Sequence, residues 1–254
     1  MSESAEYQKF KLIVAFDGTA YQGWQIQKTG QGVQQVLHEA IQKLFPGAKT
    51  PCGSSRTDTG VHARGMVVHV EVPRSILRVP LKRMPLALNA FLPDDVCIQQ
   101  VTKAQPRFHA QYDAKGKQYR YFIRNHRSQD PVQRFQMWHV PAELDMEAMK
   151  EAARYFVGNH NFRSIAGTQP YEKASYVRNL TKVEIRGRKP ELTVIIEGDG
   201  FLYKMCRNIV GTIVQVGQGK IQATNVREIL KQEDRRAAGV TAPAHGLTLW
   251  KVYY

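Results

Sequence analysis

At 254 residues the chain suits one large domain or two smaller ones, with ample length for an apolar core. Its 43% hydrophobic and 23% charged content is that of an ordinary globular protein, but a net charge of +14 and a pI near 9.8 are not. They call for a polyanionic partner, nucleic acid ahead of a membrane surface, and no apolar run approaches the length of a membrane span. Cys52, Cys97 and Cys206 are odd in number and show no C-x-x-C spacing, which argues against a disulfide framework or zinc site. Reduced thiols and a polar Met1–Lys9 without a signal-peptide core fit a cytoplasmic protein. Residues 107–254 hold 24 of the 36 basic side chains against 14 of the 22 acidic ones, so that half supplies more of the footprint for a phosphate backbone.

In chain order, Phe10, Leu12, Val14 and Phe16 alternate with Lys11, Ile13 and Ala15, predicting a strand that ends at the turn Asp17-Gly18-Thr19. The aromatic, amide-rich Tyr21 to Gln27 follows; Trp24 is expected to plug the core rather than stack on RNA. Val33, Val36, Leu37, Ala40, Ile41, Leu44 and Phe45 have helical spacing, with a stop near Pro46-Gly47. Next comes Gly53 to Gly65, rich in Gly, Ser and Thr, which reads as a loop carrying Arg56, Asp58 and His62. Met66, Val68, Val70 and Val72 then alternate as a strand, and a polar loop on a rigid strand is a common seat of chemistry. On residue types alone, Asp58 reads first as a turn-capping carboxylate with Arg56 as its surface partner. His62, four residues on, lacks any third metal ligand or H-E-x-x-H signature and reads as structural.

Pro85 limits the Pro80–Leu86 region to a short helix running on to Phe91, and a domain boundary is expected near Ala104-Gln105-Pro106, separating 1–106 from 107–254. Lys117 to Ile123 reads as a strand with Tyr119, Tyr121 and Ile123 on one face. Asp145 is placed to cap a helix through Val157, and Gly167 to Ser175 reads as a polar loop able to touch RNA. Leu180–Arg186 and Leu192–Glu197 suggest a hairpin turned at Gly187 to Pro190. A helix is expected to open at Gly200, with Leu202, Met205, Ile209, Ile213 and Val216 as its apolar stripe. Arg207 inside so apolar a segment needs a partner or must snorkel to the surface.

Arg56-Thr57-Asp58-Thr59-Gly60-Val61-His62 closely resembles the Arg-Thr-Asp-Ala-Gly-Val-His segment around the nucleophilic aspartate of the tRNA pseudouridine synthase A family. The opening Asp17-Gly18-Thr19, Tyr21, Gly23-Trp24-Gln25, Gln27 and Val33-Gln34 stands in that family's order, as do Leu88-Asn89 with Leu92 to Asp95, Phe108-His109-Ala110, Lys117-x-Tyr119, and Gly200 to Gly211. Ser55, Thr59 and Gln111 depart from the usual Gly, Ala and Arg. The resemblance implies an α/β (α+β) pseudouridine synthase fold: two subdomains with mainly antiparallel sheets, helices beside them and the catalytic cleft between. It further implies a homodimer that converts uridine to pseudouridine on the 3′ side of the anticodon arm of tRNA, with no cofactor, no metal and no membrane. By the same resemblance Asp58 is catalytic, Arg56 supports the flipped-out base, Tyr119 lies beneath the uracil and Arg207 pairs with Asp58. A tRNA-binding protein of the same fold that has lost the reaction is the other reading.

Overall fold

Alternation organises the first strand. In the computed structural model, which describes residues 6–169 and 174–254, β1 (Tyr7–Phe16) buries Phe10, Leu12, Val14 and Phe16. The helical stripe forms α1 (Val33–Leu44), burying Val33, Val36, Leu37, Ala40 and Ile41; Phe45 caps it, its amide donating to Ile41 O at 2.7 Å. Short β2 (Cys52–Gly53) precedes the catalytic-loop candidate, and β3 (His62–Pro73) begins at His62 rather than Met66. α2 (Met84–Asn89) starts beside Pro85, where the missing amide costs nothing, and leads to β4 (Val96–Lys103).

The chain divides into two compact units, Met1–Lys115 with Leu249–Tyr254, and Gly116–Thr248. In the first unit β1 lies antiparallel between β3 and β4, with Leu12 opposite both Val68 and Val101, while β2 borders β3.

In the second unit, β5 (Gly116–Asn125) carries β6 (Trp138–Val140) in a parallel pairing and β9 (Glu191–Gly198) in an antiparallel one. α3 (Met146–Tyr155) is capped by Asp145, whose Oδ1 accepts from the amides of Glu147 and Ala148 at 2.9 and 3.0 Å. β7 (Gly158–Asn161), β8 (Val177–Arg188) and β9 (Glu191–Gly198) complete an antiparallel run in the order β5-β9-β8-β7. The hairpin is longer than its alternation suggests: Gly187 pairs with Leu192 at φ +92°, leaving the turn to Lys189-Pro190. α4 (Met205–Gly217) starts later than expected, because Lys204 sits at φ 56°, in the left-handed region, and breaks the helix from Gly200 to Tyr203. Its stripe is nonetheless buried at Leu202, Met205, Ile209, Ile213 and Val216. α4 packs on α3, with Gly217 so close to Met149 that a Cβ would meet its side chain at 2.6 Å. α5 (Asn225–Gln232) follows, and the chain ends in β10 (Leu247–Tyr253), which borders β3. The polar loop expected over Gly167 to Ser175 falls partly outside the described residues, at 170–173. The whole is a mixed α/β fold built on mostly antiparallel strands flanked by helices.

Candidate active site

The loop between β2 and β3 is fastened through its backbone. The Ser54 amide donates to Val67 O at 2.8 Å, the Trp24 amide to Thr57 O at 3.2 Å, and the Gly60 amide to Tyr21 O at 3.3 Å. A local turn closes around the carboxylate residue itself, the Val61 amide donating to Asp58 O at 3.1 Å. Two glycines permit this closeness: a Cβ on Gly18 would stand 2.1 Å from Val61 O, and one on Gly23, at φ +78°, 2.4 Å from Thr57 O. The loop therefore lies backbone to backbone against residues 18–24. Asp58 is half-buried and Arg56, two residues before it, is exposed.

Side chains brace the same contact. His62 is buried, and its Nδ1 accepts from the Gly18 amide at 3.0 Å with Asp17 Oδ1 3.1 Å away, so the imidazole ties the end of β1 to the start of β3. Burial works to raise the Asp17 carboxyl, but hydrogen bonds from the Thr19 hydroxyl and amide, with His62 beside it, hold it below the usual carboxylate range. Tyr21 is buried and donates to Asp95 Oδ1 at 2.5 Å; burial, then the Asp95 carboxylate, pushes its phenol well up, and it stays neutral. Trp24 is core, only 3% exposed, and fills the place of a side chain at Gly53, where a Cβ would meet its ring at 2.6 Å. Ser55 and Thr57, on either side of Arg56, carry buried hydroxyls without a hydrogen-bond partner among the described residues. The Ser55 backbone is not among those with positive φ, so a side chain fits where the related segment has glycine.

In the second unit Tyr119 lies opposite Ile196 on β9, 7% exposed, with its ring edge-on to Phe201 at 4.9 Å and 76°. Tyr121 has a different fate: it is fully buried and donates to Pro243 O at 2.8 Å, and burial drives its phenol far above the ordinary range. Arg207 occupies the first turn of α4, where its Nε donates to Ala242 O at 2.8 Å while its own carbonyl accepts from the Ala242 amide at 3.1 Å. A guanidinium there faces the positive end of the helix dipole, an arrangement that favours a nearby anion. The next residue, Asn208, is fully buried; it donates to Ile165 O at 2.7 Å and accepts from Thr241 Oγ1 at 2.7 Å and Arg235 Nη2 at 3.1 Å. Asn208 and the Asp17–His62 and Tyr21–Asp95 braces escape a reading of sequence, since their partners are 27 to 74 residues away.

One group of metal-type donors exists among the described residues: Cys52, His69 and His109 offer ligand atoms within 4.8 Å of one another. Their hydrogen bonds oppose ligation. Nδ1 of His69 accepts from the Ala110 amide at 3.1 Å, and Nδ1 of His109 from the amides of Gln111 and Tyr112, both at 3.2 Å. A neutral imidazole accepting at Nδ1 holds its proton on Nε2, and the protonated nitrogen has no lone pair for a metal. Burial also raises the Cys52 thiol, which favours its protonated form.

Residues 12–113 and 152–254 match the tRNA pseudouridine synthase family. Among curated relatives, proteins named tRNA pseudouridine synthase A from Thermoanaerobacter sp. (strain X514), Acetivibrio thermocellus and Bacillus subtilis (strain 168) are 42%, 43% and 40% identical to this chain. The three matches cover 96%, 96% and 97% of the chain, and 98%, 98% and 99% of the relatives. With two matched segments spanning most of its length, the chain belongs to the tRNA pseudouridine synthase family.

Proposed function

We propose that the protein isomerises uridine to pseudouridine on the 3′ side of the anticodon arm of tRNA, with Asp58 as nucleophile. Isomerase activity on tRNA follows from family membership and accords with the charge of +14. The assignment of Asp58 is supported above all by the geometry of its loop: a half-buried carboxylate on a backbone fastened at Thr57, Asp58 and Gly60 is already oriented before substrate arrives.

The reaction breaks the C1′–N1 bond and forms C1′–C5; the proton on C5 leaves and N1 gains one. A carboxylate serves this exchange as a covalent nucleophile that holds one fragment while the uracil turns. The target base leaves its stack at a cost of a few kcal/mol. Arg56, exposed on the Asp58 loop, supports that conformation; Tyr119, whose ring stands against Phe201, is the platform for the uracil; and Arg207 is the ionic partner of Asp58. No helix among the described residues is long and apolar enough to cross a membrane. A cytoplasmic homodimer completes the reading, and light scattering that finds only monomer defeats the dimer.

The test is incubation of purified protein with an unmodified tRNA transcript, without metal or nucleotide, followed by mapping of pseudouridine. Wild type should give product in the anticodon arm. Asp58→Asn should lose at least about 1,000-fold in rate while tRNA affinity stays within about two-fold. Product elsewhere in the tRNA overturns the substrate assignment, and an active Asp58→Asn overturns the nucleophile.

A further inference from the structure

Lys117 opens β5 two residues before Tyr119, and period two puts both side chains on one face. The opposite face carries a carboxylate, Glu197. Gln118 donates to Glu197 Oε1 at 2.7 Å, Arg120 Nε donates to Gln118 Oε1 at 2.9 Å, and Lys182 stands 3.8 Å from Glu197. On β9 the cross-strand neighbours of the Lys117 face are Gly198, opposite Lys117, and Ile196, opposite Tyr119, neither of which carries a charge. Among the described residues the Lys117 ammonium has no hydrogen bond, ion pair or ring contact. It is nonetheless largely withdrawn from water, and that burial pulls its pKa below the ordinary lysine range. An uncompensated, desolvated cation costs the fold stability. Such a cost marks a functional site when the group lies beside one.

Resting on the reading of Tyr119 as the uracil platform, we propose that the Lys117 ammonium donates a hydrogen bond to the uracil oxygen on which negative charge collects as the C1′–N1 bond breaks. The electron pair of that bond passes into the ring and spreads over N1, O2 and O4. Lys117 donates without giving up its proton, so the step moves none through it, and the charge disperses again as C5 bonds to C1′ and the C5 proton leaves. Two residues along a strand span about 6.6 Å, and a lysine stem from that distance reaches the edge of a ring lying on Tyr119. A preorganised donor in a water-poor site strengthens as charge develops, so it lowers the barrier more than it tightens binding. A backbone phosphate, which stays in solvent, has less use for a half-buried amine.

Single-turnover rates, tRNA affinities and melting temperatures of Lys117→Met, Lys117→Gln and Lys117→Arg test this. Lys117→Met should react about 100-fold more slowly with affinity within about two-fold, and should melt at or above the wild-type temperature, because the charge it removes is a cost. Lys117→Arg should recover to within about ten-fold of wild type. The alkaline fall of the wild-type rate, where the ammonium deprotonates, should move to higher pH in Lys117→Arg, since guanidinium stays charged. If Lys117→Met and Lys117→Gln both melt below wild type, the amine is structural and the proposal falls. If affinity drops with the rate unchanged, the amine holds a phosphate and the proposal also falls. Failure of the underlying reading looks different: wild type gives no pseudouridine, or Tyr119→Ala reacts at the wild-type rate.

Discussion

On β1 and β3 of the first unit the Glu71 carboxylate lies 3.0 Å from both Lys9 and Lys49, whereas on β5 of the second unit the Lys117 ammonium has no acidic neighbour among the described residues. Burial works to raise the Glu71 carboxyl, but hydrogen bonds from Lys49 and Lys9 hold it below its usual range. The same unit fastens the Asp58 loop by backbone contact and by the His62 and Tyr21 braces. On the proposed assignments, the first unit holds the nucleophile still, and the second keeps a charge for the substrate. Positioning and charge stabilisation are separate contributions to a rate, and here they fall to different parts of the polypeptide.

Removing the glycine that lets the loop close should blur this contrast most. Gly23→Ala forces a Cβ into the Thr57 carbonyl at positive φ, and should lower stability by about 3 kcal/mol and the single-turnover rate by about 100-fold. Denaturant melts and the tRNA assay check it; a variant as fast as wild type would show that the loop's placement does not govern the rate.

His69 probes the first unit at smaller scale. Burial, then His109 and Lys9, depress its pKa to about 4, while the unfolded chain takes up the proton near an ordinary value of about 6.5. The unfolded state therefore binds the proton first, and stability should fall as pH drops from about 6.5 to 4. The ring keeps some solvent contact, so the loss is about 1–2 kcal/mol rather than the full shift. His69→Gln should flatten that segment of the stability–pH curve. An unchanged slope would assign the acid sensitivity to other groups.

Tyr21→Phe should have the smallest effect, about 1 kcal/mol, as the part-buried Asp95 loses its donor. Turnover should slow by no more than about ten-fold, because the Gly60 amide still reaches the Tyr21 carbonyl. A larger loss of rate without loss of stability would give the phenol a role beyond the brace.

Local patterns were legible in the sequence where one period or one cap decides the outcome. The spacing from Val33 to Phe45 marks α1 with its cap, and Asp145 announces α3. Arg56 and Asp58 could be singled out because their string is distinctive, even though residue types alone leave a turn-capping reading open. What sequence conceals is distance. The hydrogen bond from Gly18 to His62 joins residues 44 apart, and the one from Tyr21 to Asp95 residues 74 apart. Lys117 stands out with Tyr119 as part of a motif, but that its face of the strand lacks carboxylates shows only in the fold. The late start of α4 rests on a left-handed Lys204, a conformation that its apolar periodicity does not register.

The clearances at Gly18 and Gly23 have a kinetic consequence. A loop with no room for a methyl group between it and its neighbour cannot swing open and shut independently of the strands that carry it. With Asp58 as the proposed nucleophile, the motion needed for encounter then belongs to the nucleic acid: a uridine must swing out of its stack to reach it. Turnover should accordingly follow the ease of unstacking at the target, with uridines in weakly stacked or mispaired positions reacting fastest.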